Sequence, residues 1–301
     1  MGAGRRVVNI VTGGGATVGA ALTSHPGVDL ITMTGSVPTG RRIMQATAQN
    51  LVPVSLELGG KARFIVMEDA DLDVAVAAAV TSRFMNCGQV CICAERILVH
   101  EKIHDAIVER PVAATRALCL GDPQAETTDI GPKVSLLELE KVECLTAAAI
   151  AAGAAPLLLG GRPDMAPVAG GFWLTPTVQG GVTADMAITQ HEVFGPVVPV
   201  MKITNFDHAV AIANDSPYGP SAYLFTNDFK RIMKAVHEIN FGENYLNRIG
   251  PEALQGCHKG YRSSGPGGDD GVQGLEAYLR KKTVDGNHSG RQQSGLMPYG
   301  R

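Results

Sequence analysis

Asp29-Leu30-Ile31-Thr32-Met33-Thr34-Gly35-Ser36-Val37-Pro38-Thr39-Gly40 decides the fold class. An apolar, β-branched run reads as a strand buried in a parallel sheet. Gly35-Ser36 closes it, and Pro38 falls in the first turn of a helix whose Arg41, Ile43, Met44 and Ala48 recur at helical spacing. Upstream the same order repeats. Val7-Val8-Asn9-Ile10-Val11 reads as a short buried strand, Thr12 to Gly19 as a glycine-rich turn, and Ala20 to Thr23 as the start of a helix. Two βα units in succession predict an α/β protein with a doubly wound parallel sheet, whose ligands meet the carboxyl ends of the strands.

The turn at Thr12–Gly19 departs from G-x-G-x-x-G, because Val18 stands where the third glycine belongs. It serves equally as a tight structural turn or a phosphate cradle. Gly35 to Gly40 is better placed for an anion, since free N–H groups and the Ser36 hydroxyl face outward at a helix N-terminus. An N-cap serine without a ligand fits the same residues.

Past Pro53 the chain reads Val54-Ser55-Leu56-Glu57-Leu58-Gly59-Gly60-Lys61. A carboxylate between two leucines tends to be buried. If unpaired, its pKa rises towards neutrality, which suits a general base. Pairing with Lys61 or Arg63 is the alternative. Phe64 to Met67 is a strand, and Asp69-Ala70-Asp71-Leu72-Asp73 opens a helix running to Met85.

Then comes Asn86-Cys87-Gly88-Gln89-Val90-Cys91-Ile92-Cys93-Ala94-Glu95-Arg96, followed by the β-rich Ile97 to His100. A thiol on a loop between two packed elements is rigidly held yet reachable, as a nucleophile must be. The C-x3-C-x-C spacing lacks a C-x2-C pair and has no His-x3-5-His companion, so no metal is expected. Three buried structural cysteines remain a possible reading of this stretch alone.

Further on, helices are expected near His104–Leu120, Leu136–Ala152, Phe206–Ala213 and Asp228–Ile239. Strands are expected at Pro156–Leu159, Phe172–Val178, Val197–Val200 and Tyr223–Thr226. Residues 260–274 are too glycine-rich to be regular. Leu275–Leu279 and Thr283-Val284 read as a short helix and an edge strand, and residues 285–301 as a disordered tail.

Composition excludes some classes of function. With 301 residues, 45% apolar, 18% charged and a net charge of −3, the chain has no electrostatic case for nucleic acid or an anionic membrane. It carries no apolar run of membrane-spanning length and no secretion signal. Six irregularly spaced cysteines then read as reduced thiols, and the expected location is cytoplasmic.

Met33-Thr34-Gly35-Ser36, Leu56 to Lys61, Gly88-Gln89-Val90-Cys91 and Glu192-Val193-Phe194-Gly195-Pro196 occur in that order. Together with Asn214 to Gly219 and Ser264 to Gly267, they make the chain resemble the NAD(P)-dependent aldehyde dehydrogenase superfamily over about residues 7–284. Cys87 to Arg96 and Glu252 to His258 resemble the lactaldehyde and glycolaldehyde branch. The resemblance implies Cys91 as nucleophile, Glu57 as general base, and NAD or NADP as cofactor. Thr34, Gly35, Ser36, Gly40 and Leu58 would lie along that cofactor, with Glu192 and Phe194 at its nicotinamide ribose. Glu252 and His258 would line the entrance for a small hydroxyaldehyde.

The resemblance divides the chain into the end of a dinucleotide-binding domain (1–58), a catalytic domain (59–259), a return segment with an oligomerisation strand (260–284) and the tail (285–301). Members of the superfamily begin well upstream of Val7 and are homo-oligomers. The first part of the cofactor domain, an oxyanion-hole Asn, an adenine-ribose Lys and the oligomerisation hairpin have no counterpart here. A truncated, inactive homologue or subunit and a cofactor-independent cysteine esterase therefore stand beside the dehydrogenase reading. Within the match, Arg63 replaces a usual Pro and Pro220 a usual Leu.

Overall fold

The computed structural model describes residues 7–164, 169–286, 288 and 290. Its strands are β1 (Ile31–Thr34), β2 (Val54–Glu57), β3 (Ala62–Val66), β4 (Ala94–His100), β5 (Ala155–Leu158), β6 (Thr177–Gly180), β7 (Val197–Ile203), β8 (Tyr218–Gly219), β9 (Ser221–Phe225), β10 (Glu243–Leu246) and β11 (Tyr261–Arg262). The helices are α1 (Ala20–Ser24), α2 (Val37–Thr47), α3 (Leu72–Phe84), α4 (Glu101–Arg116), α5 (Leu136–Ala151), α6 (Ala187–Gln190), α7 (Phe206–Asn214), α8 (Phe229–Glu238) and α9 (Gly271–Ala277).

β1 and β2 form a parallel pair with Thr34 opposite Glu57, so both strands end side by side. A seven-stranded sheet runs β10-β9-β3-β4-β7-β6-β5, parallel throughout except for the β5–β6 pair. A parallel sheet must be covered on both faces, and the alternation of its strands supplies two apolar layers. Phe64, Val66, Ile97 and Val99 pack with α3 and α4 through Ala75, Ala79 and Ile107. Ile65, Met67, Leu98 and Met201 pack with α5, α7 and α8 through Leu139, Val142, Ile212 and Ala235. Each such large side chain taken out of water contributes about 1.5–3 kcal/mol.

Helix starts follow the capping chemistry. Asp71 caps α3 through the Asp73 and Val74 N–H groups, Ser135 caps α5, Asn205 caps α7 and Asp228 caps α8. Pro111 lies inside α4 and its side chain is buried there.

Five expectations need correction. Val7–Val11 is no strand; Val7, Val8, Ile10 and Val11 are exposed, and among the described residues no strand lies alongside to take their ladder bonds. Thr283-Val284 forms no edge strand for the same reason, and Val284 is exposed. The strand expected at Phe172–Val178 starts only at Thr177, because Pro176 breaks the ladder; Phe172 makes an isolated bridge to Lys133. The last helix starts at Gly271 rather than Leu275, and β11 pairs with β8 inside a stretch expected to be irregular. The expected tail lies mostly outside the described residues. Pro220, between β8 and β9, has no N–H to donate, but its carbonyl accepts from the Glu243 N–H at 3.0 Å.

Arg63 is the least comfortable residue of the sheet. It is fully buried, and none of its three guanidinium nitrogens has a hydrogen-bond partner. The Phe241 ring lies 5.5 Å from its guanidinium. Its cross-strand neighbour is Arg96, whose own pKa burial pushes down to about 9. Exchanging an uncompensated buried cation for an apolar side chain is usually stabilising. Arg63→Leu is therefore expected to stabilise the chain by about 1–4 kcal/mol. The check is a higher urea midpoint at unchanged slope; a lower midpoint would show that Arg63 has a partner in solution.

Candidate active site

Three loops enter the amino ends of three adjacent strands. Gly59-Gly60-Lys61 leads into β3, Cys91-Ile92-Cys93 into β4, and Glu192 to Pro196 into β7. The carboxyl ends of β1 and β2, which deliver Thr34 and Glu57, stand opposite. Between the two sets lies a cavity of about 400 Å³. Thr34, Gly35, Ser36, Glu57, Leu58, Cys91, Glu192 and Phe194 all line it, with Gln89, Glu138 and Lys141. Residues far apart in sequence thus meet where the pattern placed a ligand.

Gly40 does not line the cavity. It is buried in α2, where a β-carbon would come within 2.6 Å of Leu58, so it sets how closely α2 packs. Glu252 and His258 are also off this lining and stand on the other side of Glu57, with His258 Nε2 3.7 Å from Glu57 Oε2. Ser36 is the N-cap of α2 and accepts from the Thr39 N–H at 3.4 Å. The glycine-rich stretch forms one wide helical turn, Gly15–Gly19, running into α1.

The cysteine loop is sharply bent. Asn86, Cys87 and Gly88 are consecutive residues with positive φ, and the Asn86 and Gln89 amides brace the bend from both sides. At Gly88 a β-carbon would lie 2.5 Å from the Gly195 carbonyl, so only glycine lets the two loops touch. Gln89 also ties the loop to the segment before α5, donating to the Pro132 carbonyl and accepting from the Val134 N–H at 2.8 Å. Cys87 and Cys93 are fully buried, while Cys91 is half-buried at the cavity. All six cysteines are free.

Glu57 is 8% exposed, and its Oε1 has no hydrogen-bond partner. Neither expected cation pairs with it, since Lys61 turns to Glu95. Burial pushes its pKa up to about 7, against the opposing pull of His258. Glu192 accepts from the Gly60 N–H at 2.7 Å, and burial, then the charge of Glu95, raises it to about 7 as well.

Sequence reasoning missed the residue that holds these loops together. Glu95 is 1% exposed and accepts from Lys61 Nζ at 2.7 Å, Arg83 Nη1 at 2.8 Å, and the N–H groups of Val193 at 2.9 Å and Phe194 at 3.1 Å. Arg83 goes on to the Gly195 carbonyl, and Lys133 to that of Phe194. Burial raises the pKa of Glu95, but Arg83 and Lys61 pull it further down, to about 2. The available signal was a Glu in an apolar strand start with Arg83 and Lys61 upstream. Ser264, also missed, is fully buried and stitches the return segment to the site by donating to the Gly59 carbonyl at 2.8 Å.

Glu95→Gln leaves two buried cations short of their counter-charge, and is expected to cost about 3–5 kcal/mol. Because the native carboxyl is depressed below the ordinary 4.5, the stability it provides is present above that pH and lost as pH falls towards 2. Urea midpoints of wild type and variant should therefore converge on acidification.

A model described as the aldehyde dehydrogenase family matches residues 1–284. The chain is 47% identical over 277 residues to a 3,6-anhydro-alpha-L-galactose dehydrogenase of Vibrio sp. strain EJY3, covering 92% of this chain and 58% of that one. The chain belongs to the aldehyde dehydrogenase family. It is also similar to the lactaldehyde dehydrogenase of Escherichia coli K12, at 44% identity over 286 residues, 94% of this chain and 59% of that one. A solved aldehyde dehydrogenase structure, betaine aldehyde dehydrogenase from Staphylococcus aureus in complex with NAD+, superposes with a TM-score of 0.89. Its identity is 34%, over 95% of this chain and 56% of that one. The chain thus spans somewhat over half the length of these aldehyde dehydrogenases.

All the cavity-lining loops named above fall inside the matched stretch. Among the described residues no helix is long and apolar enough to cross a membrane.

Proposed function

We propose that the chain oxidises a small hydroxyaldehyde to its carboxylic acid through covalent chemistry at Cys91, with NAD or NADP as hydride acceptor. The observation that carries this is one cavity of about 400 Å³ holding both a half-buried cysteine and a carboxyl raised to about 7.

Attack of the Cys91 sulfur on the aldehyde carbon gives a thiohemiacetal, and loss of hydride leaves a thioester on the same sulfur. Glu57, whose Oε1 is buried without a partner, takes a proton from water so that the water attacks the thioester and releases the acid. The cavity residues fit a dinucleotide. The Ser36 hydroxyl and the Val37 N–H at the start of α2 suit a pyrophosphate, and Glu192 beside Phe194 suits ribose hydroxyls. A bound nicotinamide would supply the hydride acceptor. Glu252 and His258, polar and close to Glu57, would favour a substrate with a hydroxyl. The similarity to the E. coli lactaldehyde dehydrogenase supports that substrate class.

The test is NADH formation, followed by absorbance, with glycolaldehyde and lactaldehyde. A flat trace together with no cofactor binding by titration would sink the proposal. Because Cys91 and Glu57 line one cavity, hydrolysis of an activated ester is the second reading. It holds only if that hydrolysis disappears with the Cys91 thiol.

A further inference from the structure

We propose that Glu243 is a positioning residue of this site, holding His258 so that the second ring nitrogen faces Glu57 and the Cys91 sulfur. The inference rests on the reading of Cys91 and Glu57 as nucleophile and base.

Glu243 opens β10, on the same sheet edge from which the loops before β3, β4 and β7 reach the cavity. Its carboxylate is 7% exposed and fully engaged. Oε1 accepts from His258 Nδ1 at 2.6 Å and Oε2 from the Ser221 hydroxyl at 2.6 Å, while the one Tyr245 hydroxyl proton is shared between Oε2, 3.1 Å away, and Glu252 Oε2, 2.9 Å away. One donor on each oxygen, both at 2.6 Å, holds the orientation of the group. The backbone of His258 is fixed as well, exchanging N–H···O bonds of 2.9 Å in both directions with Asp269. With main chain and Nδ1 both tied, Nε2 can point only towards Glu57 Oε2, 3.7 Å away, and the sulfur of Cys91. A nucleophile, an imidazole and a buried carboxylate that orients the ring recur wherever a protein tunes a nucleophile with a charge.

The surroundings give the ring a charge. Glu57 of β2, Cys91 of the loop before β4, Glu243 and Tyr245 of β10, Glu252 and Cys257 of the loop after β10, and Asp269 and Asp270 of the return segment surround it, and Lys259 follows it in sequence. The Cys91 hydrogen bond first, then the Glu243 hydrogen bond, push the His258 pKa up to about 11. A fixed imidazolium beside Glu57 opposes the burial that raises the pKa of that carboxyl. Glu243, which does not line the cavity, would thereby set the pH at which Glu57 becomes a base. A histidine serving only as a substrate contact would need no such anchor.

The experiment is a pH titration by NMR of the full chain carrying 15N-labelled histidine, with no cofactor or aldehyde added. The His258 signal is assigned by its loss in His258→Asn. In the wild type, His258 is expected to keep its imidazolium signal to about pH 9 or beyond. In Glu243→Gln its midpoint should fall towards the ordinary value of about 6.5. Glu243→Asp, which keeps the charge but withdraws it by one methylene, should fall between the two. A neutral His258 at pH 8 in the wild type, or an unmoved midpoint in both variants, overturns the proposal. If Glu243→Gln fails to fold, the wild-type titration and the Asp variant still decide. A chain that shows these shifts yet oxidises no aldehyde retains the Glu243 assignment and loses only the roles given to Cys91 and Glu57.

Discussion

Cys91→Ala should lower aldehyde turnover by about 10⁴-fold or more, whereas Cys87→Ala and Cys93→Ala should retain it. Three cysteines within seven positions look alike in sequence, and the structure separates them by solvent and by charge. Cys87 and Cys93 have no exposed surface. Burial drives the Cys87 thiol up to about 11 against the pull of Lys133 and Arg83, and the Cys93 thiol up to about 12 against that of Arg83. At pH 8 no more than about a thousandth of either is thiolate, the only form that attacks carbon. Cys91 alone of the three lines the cavity. Iodoacetamide on the native chain, read by peptide mapping, should therefore mark Cys91 and spare its neighbours. The exposed Cys119 and Cys144 and the half-buried Cys257 will also react, but they lie on other peptides. Labelling of Cys87 or Cys93 at a rate like that of Cys91 would remove the ground for choosing one nucleophile.

What the sequence disclosed, and what it withheld, follows from the range of the interactions involved. Helices such as Leu72–Phe84 and Leu136–Ala151 were legible because their apolar spacing and their Asp71 and Ser135 caps are local. The alternation through β3 and β4 was legible for the same reason. Strand identity is less local. Val7–Val11 has the composition of a buried strand but pairs with no strand among the described residues, and a run of β-branched residues cannot announce whether a partner strand exists.

The site divides likewise. Glu57 stood out as a carboxylate between two leucines, whereas Thr34, Cys91 and Glu192 were named through the resemblance of their short motifs to a family. The groups that hold them could not be picked out. Glu95 meets Val193 and Phe194 across 98 and 99 residues, and Glu243 is an ordinary strand residue until Ser221, Tyr245 and His258 converge on it. Gly40 erred the other way. A glycine in a ligand-like turn turned out to serve helix packing against Leu58.

Glu57→Gln should slow release of the acid by about 10²–10⁴-fold while leaving the first, thioester-forming turnover in place as a burst. The amide cannot take the proton from water, yet it keeps the shape of the side chain. In the wild type, the hydrolytic step should rise with pH through about 7, where the buried carboxyl gives up its proton. The variant should lose that limb. Stability should move the opposite way. The folded-state pKa of Glu57 lies above its ordinary 4.5, so the native chain holds the extra proton between pH 4.5 and about 7, and this group's contribution to stability declines across that window as pH rises. Glu57→Gln removes the buried charge, so its urea midpoint should match the wild type near pH 4 and exceed it at pH 8. A burst that vanishes with the slow phase would mean that Glu57 acts before the thioester, on the Cys91 thiol. An unchanged pH limb would place the group that titrates near 7 elsewhere, and Glu192, raised to the same value on the opposite wall of the cavity, would be the next to test.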